Sequence, residues 1–586
     1  MDRYDRKKFF EAVEYYSDFF KDIKNKNILM LFDAQNRNAF YSIAPLSMAL
    51  QNSRVNAIGL GKNREAVGAL FDVWDTFEDL QGGIATKKTS ALKKFISLVA
   101  KKIPDFSKTF LAADSIVRAG DFWVCNGRHA DFKIDWFKIH RKQELDRTAS
   151  LLWRDVYNLR KTERVSVGFE LLRDEKKLGH PLTDYLDSYH ISWHMAQKCP
   201  GEISLHASSN KESMLTPLDR VSELRTLLLG CELVKRSKEG IFTCYKKLSR
   251  DLKLNRIKPA DASFFVSGKG YAGKHTFGEK IGYPSLNGKT RWNSPGQMIY
   301  KFDFLPQTKY DDRLPLARVA FTETLPLDIF IDTNLIDWKK LRERNQKVKD
   351  VLDKCDIVYV KSNIVERYRT DLEVGLVKQD GSRRWVRKSD TDVREKINKE
   401  YLKMKGIKAG NMGNIPGGEA FVTPQYVRGI FVGDVVIAID QSYGLSAKDP
   451  FVVECKGNSY KILSAPKKIL KKFNDKKKEA WQLLSENEKA KVLPKEIIGL
   501  KKGNFENIGE FAINTNPNAK LCDYLIVNEK IANMMHIALG SGYEEDRSTD
   551  YHVDIVFDAP RQKLDVFGKD NKGKLHWILE KGKFAI

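Results

Sequence analysis

Two short apolar runs, NILMLFDA (27–34) and VNAIGL (55–60), stand on either side of IAPLSMALQNS (43–53), which has the make-up of a helix. No other feature constrains the fold as much. Strands joined through a helix pair in parallel, because an antiparallel pair closes with a short turn and a parallel pair needs a long crossover. The chain is therefore expected to open as a βαβ unit on a parallel sheet. Before it, Phe9, Val13, Tyr16 and Phe20 recur at helical spacing with no continuous apolar run. That pattern predicts an amphipathic opening helix and not a signal peptide. Downstream, DASFFVS (261–267) and CDIVYVKS (355–362) are strand-like, and LIDWKKLRERNQKVKDVLDKC leads into the second as a helix. Residues 1–365 read as an α/β N-terminal domain. From about 75 to 260, Lys-rich helical pieces mix with aromatic segments such as DFWVCNG, and this stretch reads as an elaboration on that domain.

Beyond residue 365 the texture changes. TDLEVGLVKQDGSRRWVRK (370–388) places Asp380-Gly381 between two strand-like flanks, a strong local hairpin signal. YVRGIFVGDVVIAID (426–440) and YHVDIVFD (551–558) are further strands. The stretch at 467–496 is a charged helix whose lysines form its wet face. Residues 366–586 thus read as a β-rich α+β domain. With 42% hydrophobic residues, both domains can bury a core. A formal net charge of +24 suits an anionic surface or acidic partners. No arginine-rich tract or nucleic-acid motif accompanies that charge, so a lysine-rich solvated surface is the reading and nucleic acid is not an expected partner. The seven cysteines form no CxxC pair, which indicates a reduced, cytoplasmic chain. No run of about eighteen apolar residues exists, so no membrane span is expected.

Two motifs fall short of the chemistry they suggest. In FFVSGKGYAGKHT, Gly268, Gly273 and Lys274 approach a phosphate-binding loop, but His275 stands where a magnesium-binding Ser or Thr belongs. His190 and His194 share a helix face in HISWH, yet Ile191 stands where a zinc peptidase needs Glu, so packed histidines are expected. The chemistry gathers near the C-terminus instead. His552 and Asp554, two apart on a strand, point to the same face. Glu419 in NIPGGEAFVTP and Glu510 in NIGEFAINTNP each follow a glycine, which lets the backbone approach closely. In NEKIANMMHIALGSGY, Glu529 lies seven residues before His536 and Tyr543 seven after it. Carboxylate and imidazole ligands suit zinc, cobalt, manganese or magnesium. Six candidate ligands exceed what one tetrahedral zinc uses and suit two divalent cations sharing a carboxylate.

Five runs, TDLEVGL, NIPGGEAFVTP, IGEFAINTNP, NEKIANMMHIALGSGY and YHVDIVFD, resemble in the same order those of the thermophilic aminopeptidase family of metallopeptidases (aminopeptidase T, leucyl aminopeptidase). The resemblance covers about residues 366–586. It implies an α/β N-terminal domain and a catalytic domain with a dinuclear metal centre that cuts N-terminal residues from peptides. By motif, Glu419, Glu510, His536, His552 and Asp554 match metal ligands, with Glu510 as the bridge. Glu529 matches a further ligand, across a longer step to His536 than in bacterial members. Tyr543 matches a tyrosine that hydrogen-bonds the reacting group. The family's first domain is much shorter, which marks residues 75–260 as additions. A peptide is the expected partner, with a homodimer left open. Two other readings remain. His536, His552 and Asp554 alone would form the two-histidine, one-carboxylate iron site of a ring-cleaving dioxygenase. A non-catalytic protein could use the basic surface to bind an anionic partner.

Overall fold

The computed structural model describes residues 4–20, 27–32, 34–51, 54–59, 115–119, 123–125, 128–130, 136–138, 140–172, 181–208, 262–267, 318–389, 411–489, 495–542, 544–547 and 549–586. These form two compact units, one holding the described residues up to Ile331 and one Asp332–Ile586, the division falling inside the helix Leu327–Asn334. Much of the elaboration expected between about 75 and 260, and the loop Gly268–Thr276, lie outside the described residues.

In the first unit, α1 (Arg6–Phe19) is capped by Asp5, whose carboxylate accepts from Lys8 N at 3.1 Å, and it buries Phe9, Ala12 and Tyr16. Then follow β1 (Asn27–Phe32), α2 (Arg37–Ala49) and β2 (Arg54–Gly59). Strands β1 and β2 pair in parallel, Asn27 opposite Arg54, as the opening βαβ spacing requires. Helix α2 starts ahead of residue 43 because the Asn36 side chain accepts from Asn38 N and Ala39 N and sets its first turn. The further strands of the unit's large sheet are β3 (Ser115–Ala119), β4 (Arg164–Glu170), β5 (Glu202–Ser208), β6 (Ala262–Ser267) and β7 (Arg318–Glu323), while Trp123–Cys125 and Arg128–Ala130 form a small antiparallel pair of their own. Within this unit they run in the order β7-β6-β4-β5-β2-β1-β3. Neighbours are parallel except where β2 meets β5. Helices α3 (Lys142–Leu151) and α4 (Leu182–Lys198) pair through His194, whose Nδ1 lies 2.6 Å from Asp146 Oδ1. His190 Nδ1 lies 2.8 Å from Tyr41 Oη, so both histidines of HISWH are buried and packed.

The second unit opens with α5 (Trp338–Lys354) and β8 (Cys355–Ser362), ahead of the change of texture near residue 365. Strand β8 is paired on both sides, with β9 (Asp371–Gly375) and with β20 (Leu564–Asp570), and this pairing places it here. Between them come β10 (Val386–Ser389), β11 (Glu419–Val422), β12 (Tyr426–Gly433), β13 (Val436–Ala438), β14 (Ser442–Gly444), β15 (Phe451–Gly457) and β16 (Tyr460–Ser464). The Lys-rich helix α6 (Lys467–Lys489) precedes β17 (Ile508–Asn514), β18 (Met534–Gly540) and β19 (His552–Asp558). Strands β21 (Leu575–Glu580) and β22 (Lys583–Phe584) end the chain. One sheet has the order β16-β15-β12-β9-β8-β20-β21-β22 and the other β10-β11-β17-β18-β19-β13-β14. The pairs in both are antiparallel.

The two sheets share one core. Val358, Val360, Val374 and Phe431 from the first meet Val422, Phe511, Ile513, Ile537, Val553 and Ile555 from the second. Each such side chain contributes about 1.5–3 kcal/mol on burial. That fixes which face of these strands is turned inward and so decides which of their residues face away from the core. The Asp380-Gly381 turn forms as expected, with Gly381 at φ +80° and Asp380 Oδ1 accepting from Ser382 N at 2.9 Å. Its flanks then diverge, β9 into one sheet and β10 into the other. Among the described residues no helix is long and apolar enough to cross a membrane.

Candidate metal centre

The second sheet carries the candidate residues on its face away from the core. On β19, Val553, Ile555 and Phe557 belong to the core, leaving His552 and Asp554 on the other face. On β18, Met535, Ile537 and Leu539 do the same for His536. Cross-strand pairing supplies the room. His536 lies opposite Ala512, Asp554 and Glu510 lie opposite Ala538, and His552 lies opposite Gly540. His536, Glu510, Asp554 and His552 therefore each face a small residue on one neighbouring strand. Glu419, first residue of β11, sits opposite Asn514.

Two glycines bring the glutamates in. At Gly509 a Cβ would stand 2.1 Å from Ser541 O, so only glycine lets β17 approach β18 there. The register also shifts between Ile508 and Glu510, a bulge of one residue. It turns Ile508 into the core and Glu510 onto the opposite face. Gly418 has φ +137°, and its Cβ would lie 2.8 Å from Asn516 N. Asn516 ties this turn down, its Nδ2 donating to Gly417 O at 2.9 Å while its N donates to Lys530 O at 2.8 Å.

Glu510 is at the centre of the cluster. Its Oε1 lies 3.2 Å from His536 Nε2 and its Oε2 lies 3.9 Å from His552 Nε2. Glu419 Oε2 is 3.6 Å from His536 Nε2, and Asp554 Oδ1 is 3.1 Å from His552 Nε2. The far ring nitrogens are held too. His552 Nδ1 donates to Ser541 O at 2.7 Å, and His536 Nδ1 lies 2.8 Å from Asn514 Oδ1. A carbonyl acceptor keeps the proton on His552 Nδ1, so the neutral ring presents Nε2 to the cluster, the arrangement seen behind metal-binding histidines.

The charges strain one another. Burial lifts the Glu419 carboxyl to about 7, with Lys530 pulling it down and Glu529 pushing it further up. Burial disfavours the His536 cation, but the hydrogen bond to Glu510 and the charge of Glu419 win and raise it to about 9. His552 is raised to about 10, burial again opposing and Asp554 prevailing. Asp554 resists the upward pull of its own burial and falls to about 2 beside His552. In the metal-free protein the two imidazoles thus act as cations among the carboxylates.

A divalent cation fits this set. Single ligand atoms of Glu419, Glu510 and His536 all lie within 4.8 Å of one another. Glu419 Oε2 is buried and accepts no hydrogen bond from the described residues, which suits it to a cation. His552, Asp554 and the other oxygen of Glu510 form a second group beside the first. Glu529, at the end of the short helix Leu525–Asn528, turns its Oε1 to Lys530 Nζ at 2.7 Å and to Asn414 Nδ2 at 3.3 Å. Tyr543 lies outside the described residues. On either side of it, Gly542 N donates to Arg547 O at 2.7 Å, and the buried Arg384 guanidinium binds Glu544 at 3.0 Å and Asp546 at 2.7 Å. Lys530, Asn514 and Arg384 escaped the sequence reading. The one signal for Lys530 was a lysine directly after Glu529 and ahead of the mostly apolar IANMM.

No family model matches the chain, and no curated protein matches it. Among solved structures, wild-type AmpT from Thermus thermophilus is similar over 76% of this chain and 100% of that chain, at 13% identity and a TM-score of 0.42. Likeness at that level leaves activity to be read from this chain's own residues.

Proposed function

We propose that the chain is a metal-dependent hydrolase that releases N-terminal residues from peptides, with two divalent cations held about Glu510. The observation that carries this reading is that the two oxygens of one carboxylate face two different histidines, at 3.2 Å and 3.9 Å. Glu419, His536 and Glu510 Oε1 would hold one cation. His552, Asp554 and Glu510 Oε2 would hold the other. Cations of the zinc, cobalt, manganese or magnesium kind supply, when bound, a water acidified toward neutrality and an electrophile for the scissile carbonyl. The protein's own part is positioning. Ser541 O and Asn514 fix the imidazoles, and the bulge at Gly509 aims Glu510. Tyr543, next to Gly542, would donate to the oxyanion as the carbonyl is attacked. The choice of peptides rests on the five ordered motifs. The mononuclear iron reading is less well supported, since Glu419 and Glu510, which such a site would not use, lie 3.6 Å and 3.2 Å from His536 Nε2.

Metal analysis of the purified chain, joined to assay on a panel of aminoacyl reporter substrates, tests this. Two metals per chain are expected. Prolonged chelation should abolish hydrolysis, and cobalt, zinc or manganese should restore it. Hydrolysis by demonstrably metal-free protein would overturn the mechanism. One iron per chain would favour the dioxygenase, and no metal a binding role.

A further inference from the structure

Lys530 is fully buried beside the cluster, and its ammonium lies 2.7 Å from Glu419 Oε1 and 2.7 Å from Glu529 Oε1. We propose that Lys530 is the resident counter-cation of the centre: it withdraws Glu529 and one oxygen of Glu419 from coordination and so sets the charge that a metal beside His536 meets. This rests on the metal reading above and narrows it, because Glu529 then acts through Lys530 and not as a ligand.

The placement is built into the backbone. Asn516 holds the Lys530 carbonyl with its N–H and the Gly417 carbonyl with its side chain, so one residue fixes both the lysine and the turn that delivers Glu419. A buried ammonium needs acceptors, and here two of them are carboxylates. Glu419 is left with Oε2 as its one oxygen toward His536, at 3.6 Å and without a hydrogen bond. Glu529 is engaged by both Lys530 and Asn414. With both carboxylates ionised, the state that faces a bound metal, Glu419, Glu529 and Lys530 together carry one net negative charge. Without the lysine they would carry two, in a site where water screens little. Two consequences follow. The lysine lets the metal-free centre fold without adjacent unpaired carboxylates. It also weakens the hold on a metal, which favours an exchangeable ion.

Mn²⁺ titrated calorimetrically into chelator-stripped full-length protein tests this, with thermal unfolding run in parallel, for wild type, K530M, E529Q and the double variant E529Q/K530M. K530M should bind Mn²⁺ about tenfold or more tighter, since a nearby positive charge is gone. Its stripped form should melt at lower temperature. E529Q should bind about tenfold more weakly, and E529Q/K530M, with the native charge count restored, should return close to wild type. A lysine of purely structural importance would lower the melting temperature and leave affinity alone. K530M with wild-type affinity overturns the proposal. So does a double variant that stays as weak as E529Q, the result a coordinating Glu529 would produce, or one that does not fold. If stripped K530M does not fold, E529Q and the double variant decide. If the wild type takes up no metal, the hydrolase reading fails. The charge pairing is then judged from melting alone, where K530M must fall below wild type and E529Q/K530M must recover, or the proposal fails with it.

Discussion

Single residues at the centre are defined by protons that a metal must replace. His536 and His552 are raised from 6.5 to about 9 and about 10. Their contribution to the stability of the metal-free fold is complete below the unfolded value and is lost as pH rises through the folded values. Glu419, raised from 4.5 to about 7, acts in the same direction over that lower window. Asp554, lowered from 3.8 to about 2, stabilises above its unfolded value and loses its contribution only as pH falls through about 2. The stripped protein should therefore lose melting temperature between about pH 6 and pH 10. Metal binding needs unprotonated imidazoles, so the rise in melting temperature on adding Mn²⁺ should grow across that window. Calorimetric scans with and without metal check this, and a metal effect independent of pH would count against histidine ligation. Glu510 yields a second expectation. Glu510→Gln keeps the volume and removes the charge that both cations would share. It should lose at least one metal per chain by elemental analysis and roughly a thousandfold in kcat, the scale of removing a major electrostatic element. A variant with both metals and near-normal turnover would reject the bridging role.

Among the elements, β17 decides most. Its sequence reads IGEFAIN, and simple alternation would put Ile508 and Glu510 on one face. The bulge at Gly509 separates them, sending Ile508 to the core and Glu510 to the cluster. The glycine is needed because a methyl group there would strike Ser541 O. Gly509→Ala should cost about 1–3 kcal/mol or more in urea unfolding, as overpacking does. The displaced Glu510 should also lower the metal content. Native stability together with a full metal complement would show that β17 and β18 can separate without disturbing the site.

Over the whole molecule the main feature is charge. The net +24 is spread through the chain and includes the Lys-rich α6. A field of that sign should draw acidic peptides to the protein faster than basic ones. Exposed charges are screened beyond about 10 Å at 0.1 M salt and about 3 Å at 1 M. The ratio of kcat/KM for acidic over basic short peptides should therefore exceed one at low ionic strength and approach one at high. A ratio that does not change with salt would mean that substrate choice is made inside the site alone.

The sequence by itself determined the local pieces. The strands at 355–362 and 552–558 were legible because β-branched residues are concentrated there, and His552 with Asp554 because two-residue spacing on a strand leaves no other geometry. The opening βαβ unit was legible from its crossover length. Tertiary structure decided which pieces meet. The flanks of the Asp380-Gly381 turn enter different sheets, and β8 joins the second unit by pairing with strands on both its sides. Glu419 reaches His536 because β11, β17 and β18 are neighbours in one sheet. Lys530 reaches Glu419 because Asn516 binds both turns. Such contacts join residues far apart in the chain. They are set by the packing of two apolar sheet faces against each other, and no local spacing encodes which strands that packing makes adjacent.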